Sequence, residues 1–590
     1  MKDPNKFYTS QISIFEAQLA KAKSQLYASS MIRLTVFCLA GIALYLGFGN
    51  TKLIFGIVLV TIALFVYLVS RHSDLQYRRD RLETLLQINA TELRVLNRDF
   101  HDLAEGLEFQ DVMHHYCQDI DLFGRGSFYQ YSNRTVLKQG SEVFSSILLE
   151  NSIEDIDKKQ LAIQELAKMP AWRQNFSAIA SLVKIDTPYH VITKWLKAYK
   201  TFVPEFMRIV PIVFSLLSVL LVTLYFMDMI NGWVVLFWLL LGFGLTGPYL
   251  KKINMLSVHT TKIQSTFQQY QKLILELERT EFQESLLKEQ QATVLHDTIK
   301  TSKLLDEFSR ILNALDQRHN LVIAIFGNGF LLWDLMQCYK IERWIGLHAE
   351  EVEQWFNTIA FFDAYNSLGN FAFNHPSYVF PEVTPGELTM KVTGAGHPLL
   401  DPSKKVLNDY HLNKEQFLII TGANMAGKST FLRTVSLQIV MANIGLPVDA
   451  KRMVYSPIKL ITSMRTSDSL TDDESYFFSE LKRLKFIVDE IQKDRYFIVL
   501  DEILKGTNST DKALGSRKFI EKLVGSKSTG IIATHDLSLC KVAEEMPEVE
   551  NYYFDAEIID NELHFDYTFK KGICQNMNAS FLLKKMEIVE

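Results

Sequence analysis

A short segment after residue 420 contains the residue types that bind phosphate. In TGANMAGKST (421–430), Gly422, Gly427, Lys428 and Ser429 fit the pattern GxxxxGK[ST], and the apolar stretch QFLII precedes the segment. Glycines let backbone N–H groups close around a phosphate, and the start of a helix favours the anion. The pattern predicts a strand–loop–helix unit in which Lys428 contacts the β- and γ-phosphates of a nucleotide and Ser429 binds Mg²⁺.

Two further apolar stretches end in groups that suit phosphate hydrolysis. YFIVL (496–500) leads to Asp501 and Glu502, and GIIAT (530–534) leads to His535. We expect Asp501 to support Mg²⁺, Glu502 to orient the attacking water and His535 to sense the γ-phosphate. Each of these residues taken alone could be an ordinary surface or core residue. Three strand ends with this chemistry, in this order, favour ATP hydrolysis.

The same segments resemble the MutS family of DNA mismatch repair ATPases. TGANMAGKST is similar to the family's TGPNMGGKST, and the segments LDEILKGTNSTD (500–511), ATH (533–535) and MANIG (441–445) also resemble family motifs. The resemblance adds Asn424, Met425, Ala426 and Thr430 to the nucleotide-binding loop. Residues 468–480 resemble the family's signature loop, which implies that Ser475 contacts the γ-phosphate held by a partner subunit. ATP, Mg²⁺ and a homodimer joined through the ATPase domains are therefore expected.

The resemblance extends upstream of the nucleotide-binding loop. DIDLFG (119–124), NRTVLKQG (133–140) and KQLAIQEL (159–166) resemble the helical MutS core, and GHPLL (396–400) resembles the strand that enters the ATPase domain. The expected fold class is α plus α/β, with a helical core and lever domain followed by a P-loop ATPase domain of the ABC type.

Four apolar runs, 34–48, 53–70, 209–227 and 233–250, predict two membrane hairpins. A spanning helix needs about 20 mostly apolar residues, and these runs are apolar all round. Buried core hairpins are the alternative. Basic residues flank the hairpins, whereas the two turns hold only Lys52 and Asp228. Since basic flanks stay in the cytoplasm, we expect both tips outside a cytoplasmic membrane and the ATPase domain inside.

These patterns divide the chain into six predicted parts. They are a cytosolic helical stretch (1–30), a first transmembrane hairpin (31–70), a first core part (71–206), a second transmembrane hairpin (207–250), lever helices with a second core part (251–390), and the ATPase domain (391–590).

Departures from the family bear on DNA. The N-terminal stretch does not resemble the family's mismatch-reading domain with its Phe-x-Glu wedge, and the second hairpin occupies the position expected for the DNA clamp. The residues after Ser580 are too few for the family's C-terminal dimerising helices, and Lys405 stands where the family offers adenine an aromatic ring. The net charge of −5 shows no basic excess that would favour nucleic acid.

Three functions therefore remain under comparison. The resemblance implies a membrane-anchored MutS-like ATPase that is linked to DNA binding and mismatch repair. A DNA-independent, ATP-driven membrane switch or scaffold is the alternative. An ABC-type transporter is disfavoured, because IVDEIQK (487–493) before the second strand is unlike an LSGGQ signature and two tight hairpins make a poor pathway.

The predicted topology can be tested by labelling single cysteines on intact cells with an impermeant thiol reagent. Asn50→Cys and Asn231→Cys should be labelled, because both lie at hairpin tips, and Ser403→Cys should be protected until the cells are lysed. Labelling of Ser403→Cys from outside would contradict a cytoplasmic ATPase domain.

Overall fold

The first two thirds of the chain form a helical region in the computed structural model, which describes residues 3–182, 188–295, 299–386, 388–465, 476–505, 508–559 and 562–575. The helices of this region are α1 (Pro4–Leu46), α2 (Thr51–Leu96), α3 (Phe128–Ser132), α4 (Lys138–Leu149), α5 (Ile156–Lys168), α6 (Pro170–Ser181), α7 (Tyr189–Lys197), α8 (Val210–Phe226), α9 (Gly232–Thr246), α10 (Leu250–Arg279), α11 (Ser285–Ala292), α12 (Thr301–Asp316), α13 (Asn328–Leu331) and α14 (Trp333–Asn374).

The last third is a mixed region built on two sheets. Its strands are β1 (Glu382–Val383), β2 (Leu388–Ala395), β3 (Asn408–Asn413), β4 (Phe417–Gly422), β5 (Arg452–Tyr455), β6 (Lys459–Ser463), β7 (Tyr496–Asp501), β8 (Thr529–Ala533), β9 (Val549–Ile559) and β10 (Glu562–Lys571). Its helices are α15 (Lys428–Asn443), α16 (Tyr476–Glu490), α17 (Ser509–Gly525) and α18 (Val542–Glu545). The predicted class, α plus α/β, is confirmed.

Three described helices are long and apolar enough to cross a bilayer, judged by length and composition: α1, α2 and the helical stretch Gly232–Arg279. The third predicted run forms α8, which is apolar but has only 17 residues, so the expectation of four such helices holds for three. The side chains on these helices point outward, as Phe55 (69% exposed) and Phe237 (68%) show. These apolar faces need a cover other than the protein core.

A buried polar cluster joins the two N-terminal helices to α14. Glu92 of α2 is 2% exposed, and its carboxylate accepts hydrogen bonds from Arg134 Nε at 2.6 Å and Asn374 Nδ2 at 2.7 Å. Tyr8 of α1 donates from its hydroxyl to Asn374 Oδ1 at 2.7 Å. Such a cluster persists only when each charge is paired, so it fixes how α1 and α2 sit on α14.

The larger sheet determines where the candidate site forms. Its strand order is β10-β9-β4-β8-β7-β6, with β4 paired in parallel to β8 and β9, and β7 paired in parallel to β8 and β6. Pairing of Ile420 with Ala533 and of Asp501 with Ala533 brings three strand ends to one edge. In open parallel sheets ligands bind at the carboxyl ends of the strands.

The smaller sheet has the order β1-β5-β2-β3, and its strand β3 is followed along the chain by β4 of the larger sheet. Residues 396–400, expected to be part of a strand, instead form a turn after β2 ends at Ala395. The expectation was wrong because Pro398 lacks a backbone N–H and is poorly suited to a paired strand. The turn lies beside the candidate site and contributes His397 to its wall.

Two acidic residues join the helical region to the α/β domain. The Asp119 carboxylate accepts from Thr462 Oγ1 at 2.5 Å and from the Arg465 backbone N–H at 2.8 Å. Asp121 pairs with Arg465 at 2.7 Å and with Arg433 of α15 at 3.3 Å. Since Arg433 lies on the helix that begins at the phosphate loop, this joint connects the site directly to the helical region.

Candidate active site

The loop between β4 and α15 has the backbone shape of a phosphate cradle. Gly422 has φ 148° and Gly427 has φ 102°, values that favour glycine. A Cβ on Gly422 would lie 2.5 Å from the Phe554 carbonyl oxygen, so a side chain there would force β4 and β9 apart. Met425, at φ 66°, is 77% exposed, whereas Ala426 is buried beneath the loop.

Lys428 places a buried ammonium group at this loop. Its side chain is 6% exposed, and Nζ donates to the carbonyl oxygens of Gly422 at 2.8 Å and Ala423 at 3.0 Å. Burial lowers the pKa of Lys428, while the carboxylates of Asp501 and Glu502 act in the opposite direction. An anion in the adjoining cavity would therefore stabilise the charged form of Lys428.

Ser429 and Asp501 meet across the loop. Ser429 Oγ donates to Asp501 Oδ2 at 2.7 Å, which brings the first turn of α15 to the end of β7. A hydroxyl and a carboxylate at this separation are the oxygen ligands that Mg²⁺ accepts alongside water and phosphate oxygens. The chemistry of the pair fits Mg²⁺, and the role of these two residues as metal ligands stays a prediction.

Glu502 and His535 form the second polar pair. His535 Nε2 lies 2.8 Å from Glu502 Oε1 and 3.2 Å from Lys428 Nζ. The hydrogen bond from His535 lowers the pKa of Glu502 to about 2, against the opposing effect of burial. Glu502 is therefore ionised at neutral pH and is a hydrogen-bond acceptor rather than a strong base. Nε2 cannot donate to Glu502 and accept from Lys428 at once, so its protonation selects one contact.

A cavity of about 550 Å³ lies against these groups and is large enough for a nucleotide. Its wall includes the predicted residues Asn424, Met425, Gly427, Lys428, Ser429, Thr430, Asp501, Glu502 and His535. Gly422 and Ala426 shape the loop without being part of this wall.

Residues far in sequence from the phosphate loop complete the cavity, and they were not predicted from the sequence. Tyr567 of β10 has φ 52°, and its ring lies 3.1 Å from the position of a Cβ on Gly427. Asn408 fixes the irregular part of β10 around Tyr567. Its Nδ2 donates to the Tyr567 carbonyl at 3.0 Å, and its Oδ1 accepts from Phe569 N at 2.8 Å. The only sequence feature at this position is an aromatic residue in a strand-like segment, and such residues are too common to predict a binding site.

The opposite wall is formed by the turn after β2. Lys405 lines the cavity, but its ammonium pairs with Asp449 and lies 5.7 Å from the centre of the Tyr378 ring. Burial lowers the pKa of His397 to about 4, so this wall offers a neutral imidazole. Lys405 therefore supplies its aliphatic stem rather than a free charge. The rings that line the cavity belong to His397, Phe431, Phe554 and Tyr567.

Ser475 and most of the signature loop lie outside the described residues, so the role expected for Ser475 stays a prediction. The end of the loop is described. The Glu480 carboxylate, 2% exposed, accepts from the backbone N–H groups of Leu504 at 2.5 Å and Lys505 at 3.0 Å. Glu480 thus holds the turn that follows Glu502 and is a positioning residue that the sequence did not reveal.

A glycine-bounded loop between strand and helix, a lysine inside it, and a Ser–Asp pair at the neighbouring strand end define a P-loop nucleotide-binding domain. Residues 418–587 match a family model described as "MutS domain V". This domain of the chain therefore belongs to the MutS family.

Curated relatives show a similarity that covers part of the chain. Human MutS protein homolog 4 is 32% identical over 223 residues, which are 36% of this chain and 23% of the relative. The DNA mismatch repair protein MutS of Aquifex pyrophilus is 32% identical over 203 residues, 33% of this chain and 23% of the relative. That of Flavobacterium johnsoniae is 27% identical over 284 residues, 46% of this chain and 31% of the relative. The match thus spans less than a third of each relative.

Replacing Glu502 by glutamine should separate nucleotide binding from hydrolysis. The amide keeps the size of the side chain but loses the charge that orients water and accepts from His535. We expect ATP hydrolysis to fall by about 10²–10⁴-fold while the affinity for a fluorescent ATP analogue is retained. Steady-state phosphate release and anisotropy titrations measure the two quantities.

Two variants control this measurement. Lys428→Ala should lose nucleotide affinity itself, because it removes the cation at the loop, and Glu548→Gln, an exposed glutamate in the same domain, should behave as the parent. Parental turnover in Glu502→Gln would show that Glu502 has another role.

Proposed function

We propose that the protein is an ATPase that binds and hydrolyses ATP with Mg²⁺ at this site and is held at a membrane by its apolar helices. The observation that carries the first part is the buried Lys428 ammonium beside a nucleotide-sized cavity. Two carboxylates and a serine hydroxyl face the same cavity, so the site is complementary to a metal-bound phosphate chain.

Each residue then has a defined task. The backbone of residues 424–428 surrounds the phosphates, and Lys428 offsets the charge that develops on the γ-phosphate. Ser429 and Asp501 would hold Mg²⁺, which supplies charge neutralisation of the phosphate oxygens when bound. Glu502, kept ionised by His535, accepts a hydrogen bond from the attacking water and fixes its direction. His535 Nε2 lies within reach of both Glu502 and Lys428, which supports its proposed role as a sensor of a γ-phosphate held by Lys428.

The active unit is proposed to be a homodimer that shares its two sites through Ser475. The described part of the chain encloses the cavity only partly, which leaves room for a partner's signature loop. The resemblance of residues 468–480 to the family loop supports this arrangement. Sharing would make hydrolysis depend on dimer closure.

Mixing wild-type chains with a Ser475→Ala, Lys428→Ala double variant tests the shared site. In a mixed dimer, one site lacks Lys428 and the other lacks the partner's Ser475, so both should fail. ATPase activity should then fall with the square of the wild-type fraction, measured at constant total protein after exchange of subunits. A linear fall would indicate independent sites.

Membrane anchoring is proposed from the outward-facing apolar helices. Leu216 of α8 and Phe237 of α9 are 67% and 68% exposed, and such faces are stable in acyl chains. Lys251 and Lys252 follow the second hairpin and would lie at the cytoplasmic headgroups, which supports the proposal of an ATPase domain in the cytoplasm.

The process that ATP hydrolysis drives has two candidates. The relatives' names, which refer to DNA mismatch repair, favour a role in DNA repair. The membrane-facing helices favour a DNA-independent switch or scaffold in which closure of the ATPase domains moves the helical region. Much of the similarity lies in the ATPase domain, which both candidates require.

DNA binding separates the two candidates. For the switch, we expect no preference for a mismatched over a matched duplex, because contacts limited to phosphates do not read sequence, and ATPase activity little changed by either. Fluorescence anisotropy with paired oligonucleotides, at several salt concentrations, measures the preference. A preference of about tenfold for the mismatch, roughly 1.4 kcal/mol, would favour repair instead.

A further inference from the structure

The connection between α12 and α14 exposes apolar residues at the end of the helical region. We call residues 320–332 the tip segment. It contains a π-helical turn, Ile323–Gly327, followed by α13, and the chain then breaks at Leu332, which has φ 51°. Leu321, Val322 and Phe326 are 73%, 62% and 55% exposed. Connections on a water-facing surface are normally polar, so this composition requires another explanation.

The inner side of the tip segment is hydrogen-bonded to the second hairpin. The Phe330 carbonyl lies just before the break at Leu332 and accepts from Ser218 Oγ of α8 at 2.6 Å. Trp238 Nε1 of α9 donates to the same Ser218 Oγ at 2.7 Å. Ser218 is 2% exposed within a mostly apolar helix. Broken helices are tolerated at membrane depth only when neighbouring groups satisfy the freed backbone in this way.

Glycines let the tip segment approach α9 very closely. A Cβ on Gly242 would lie 2.5 Å from the Gly329 carbonyl oxygen, and a Cβ on Gly329 would lie 2.8 Å from Leu239 Cγ. Backbone contact through small residues is how helices associate inside bilayers, where apolar burial provides no driving force between them. Gly242 and Gly329 therefore mark a packed interface rather than a chance encounter.

A polar clasp closes the base of the tip segment. Arg318 Nε pairs with Asp334 at 2.9 Å, and Arg318 also donates to Asn254 Oδ1 at 2.6 Å. Asn254 lies in α10, close after Lys251 and Lys252. Both ends of the tip segment are thus held at the level where the second hairpin returns, and the segment enters and leaves on the same side.

We propose that the tip segment is a third membrane-embedded element: a re-entrant broken helix that inserts beside α8 and α9 and turns Leu321, Val322 and Phe326 to lipid acyl chains. The inference rests on the proposed membrane anchoring and extends it. Lipid is the occupant because the segment packs directly against the outward-facing apolar helices α8 and α9, and because residues 320–332 include no charged side chain. Its length, below that of a spanning helix, suits re-entry.

The placement has a mechanical consequence. α14 begins directly after the tip segment and ends at Asn374, beside the polar cluster that holds α1 and α2. At 1.5 Å per residue, this helix spans about 63 Å. A shift of the ATPase domain that moves α14 along its axis would move the tip segment in the bilayer.

Depth-dependent fluorescence quenching tests the proposal in the full chain with Cys38→Ser. Phe326→Cys, Phe237→Cys and Leu347→Cys each carry an environment-sensitive fluorophore in phosphatidylcholine–phosphatidylglycerol vesicles that contain brominated lipid. We expect the probe at 326 to emit at shorter wavelength and to be quenched as strongly as the probe at 237. The probe at 347, on an exposed part of α14, should stay unquenched.

The outcomes separate this inference from the anchoring itself. Quenching at 237 but not at 326 would overturn the re-entrant segment and leave the anchored hairpin intact. Absence of quenching at both would overturn the anchoring as well. Disulfide formation between two Phe326→Cys chains, without quenching, would assign the surface to a second copy of the chain and contradict the proposal.

A pair of glycine variants checks the packing against α9. Gly242→Val should displace the tip segment and shift the emission of the probe at 326 toward that of water, because Gly329 leaves no room for a side chain. Gly244→Val is the matched control, since a Cβ there meets nothing within 4 Å. Equal effects of both variants would contradict the contact. If Gly242→Val does not fold, the quenching comparison above still decides.

Discussion

The parallel pairing of β4, β8 and β7 is the constraint on which the site depends. Parallel neighbours in register end at the same edge, so Gly422, Ala533 and Asp501 come within one small region although they are far apart in sequence. Lys428, Glu502 and His535 follow these ends directly. A shift of one residue in any pairing would turn its functional group to the other face of the sheet.

The charged groups at this edge of the sheet make it suited to bind a ligand. Lys428 is buried with two backbone carbonyls as its closest partners, and the nearby carboxylates of Asp501 and Glu502 oppose the lowering of its pKa by burial. A buried cation facing a cavity is costly without an anion, and two carboxylates around it suit a metal ion. A magnesium–phosphate ligand satisfies both requirements together, which is why the same residues serve binding and hydrolysis.

Hydrogen bonds and ion pairs connect the ATPase domain to the helical region. Asp119 accepts a hydrogen bond from Thr462 of β6, and Asp121 forms an ion pair with Arg433 of α15. Helix α14 of the helical region begins directly after the tip segment. The Glu92 cluster ties α1 and α2 to the same helix. Contacts between described residues thus run from the helix that begins at the phosphate loop into the helical region.

The sequence alone was sufficient for the phosphate loop, the acidic strand end, the histidine and the apolar runs. These features depend on residues close together in the chain: the spacing from Gly422 to Ser429 determines a loop, and runs of apolar side chains determine helices that avoid water. The family resemblance misled at one place, since the residues around Pro398 form a turn and not a strand.

Only the tertiary structure decided which distant residues complete these units. Tyr567 and Asn408 reach the cavity through an irregular strand, Lys405 is occupied by Asp449, and Glu480 holds the turn behind Glu502. The tip segment escaped notice for the same reason, because its apolar run is too short to indicate a membrane helix. Its environment follows from Ser218 and Gly242, about a hundred residues earlier in the chain, and contacts at that separation are determined by how helices pack and not by local sequence.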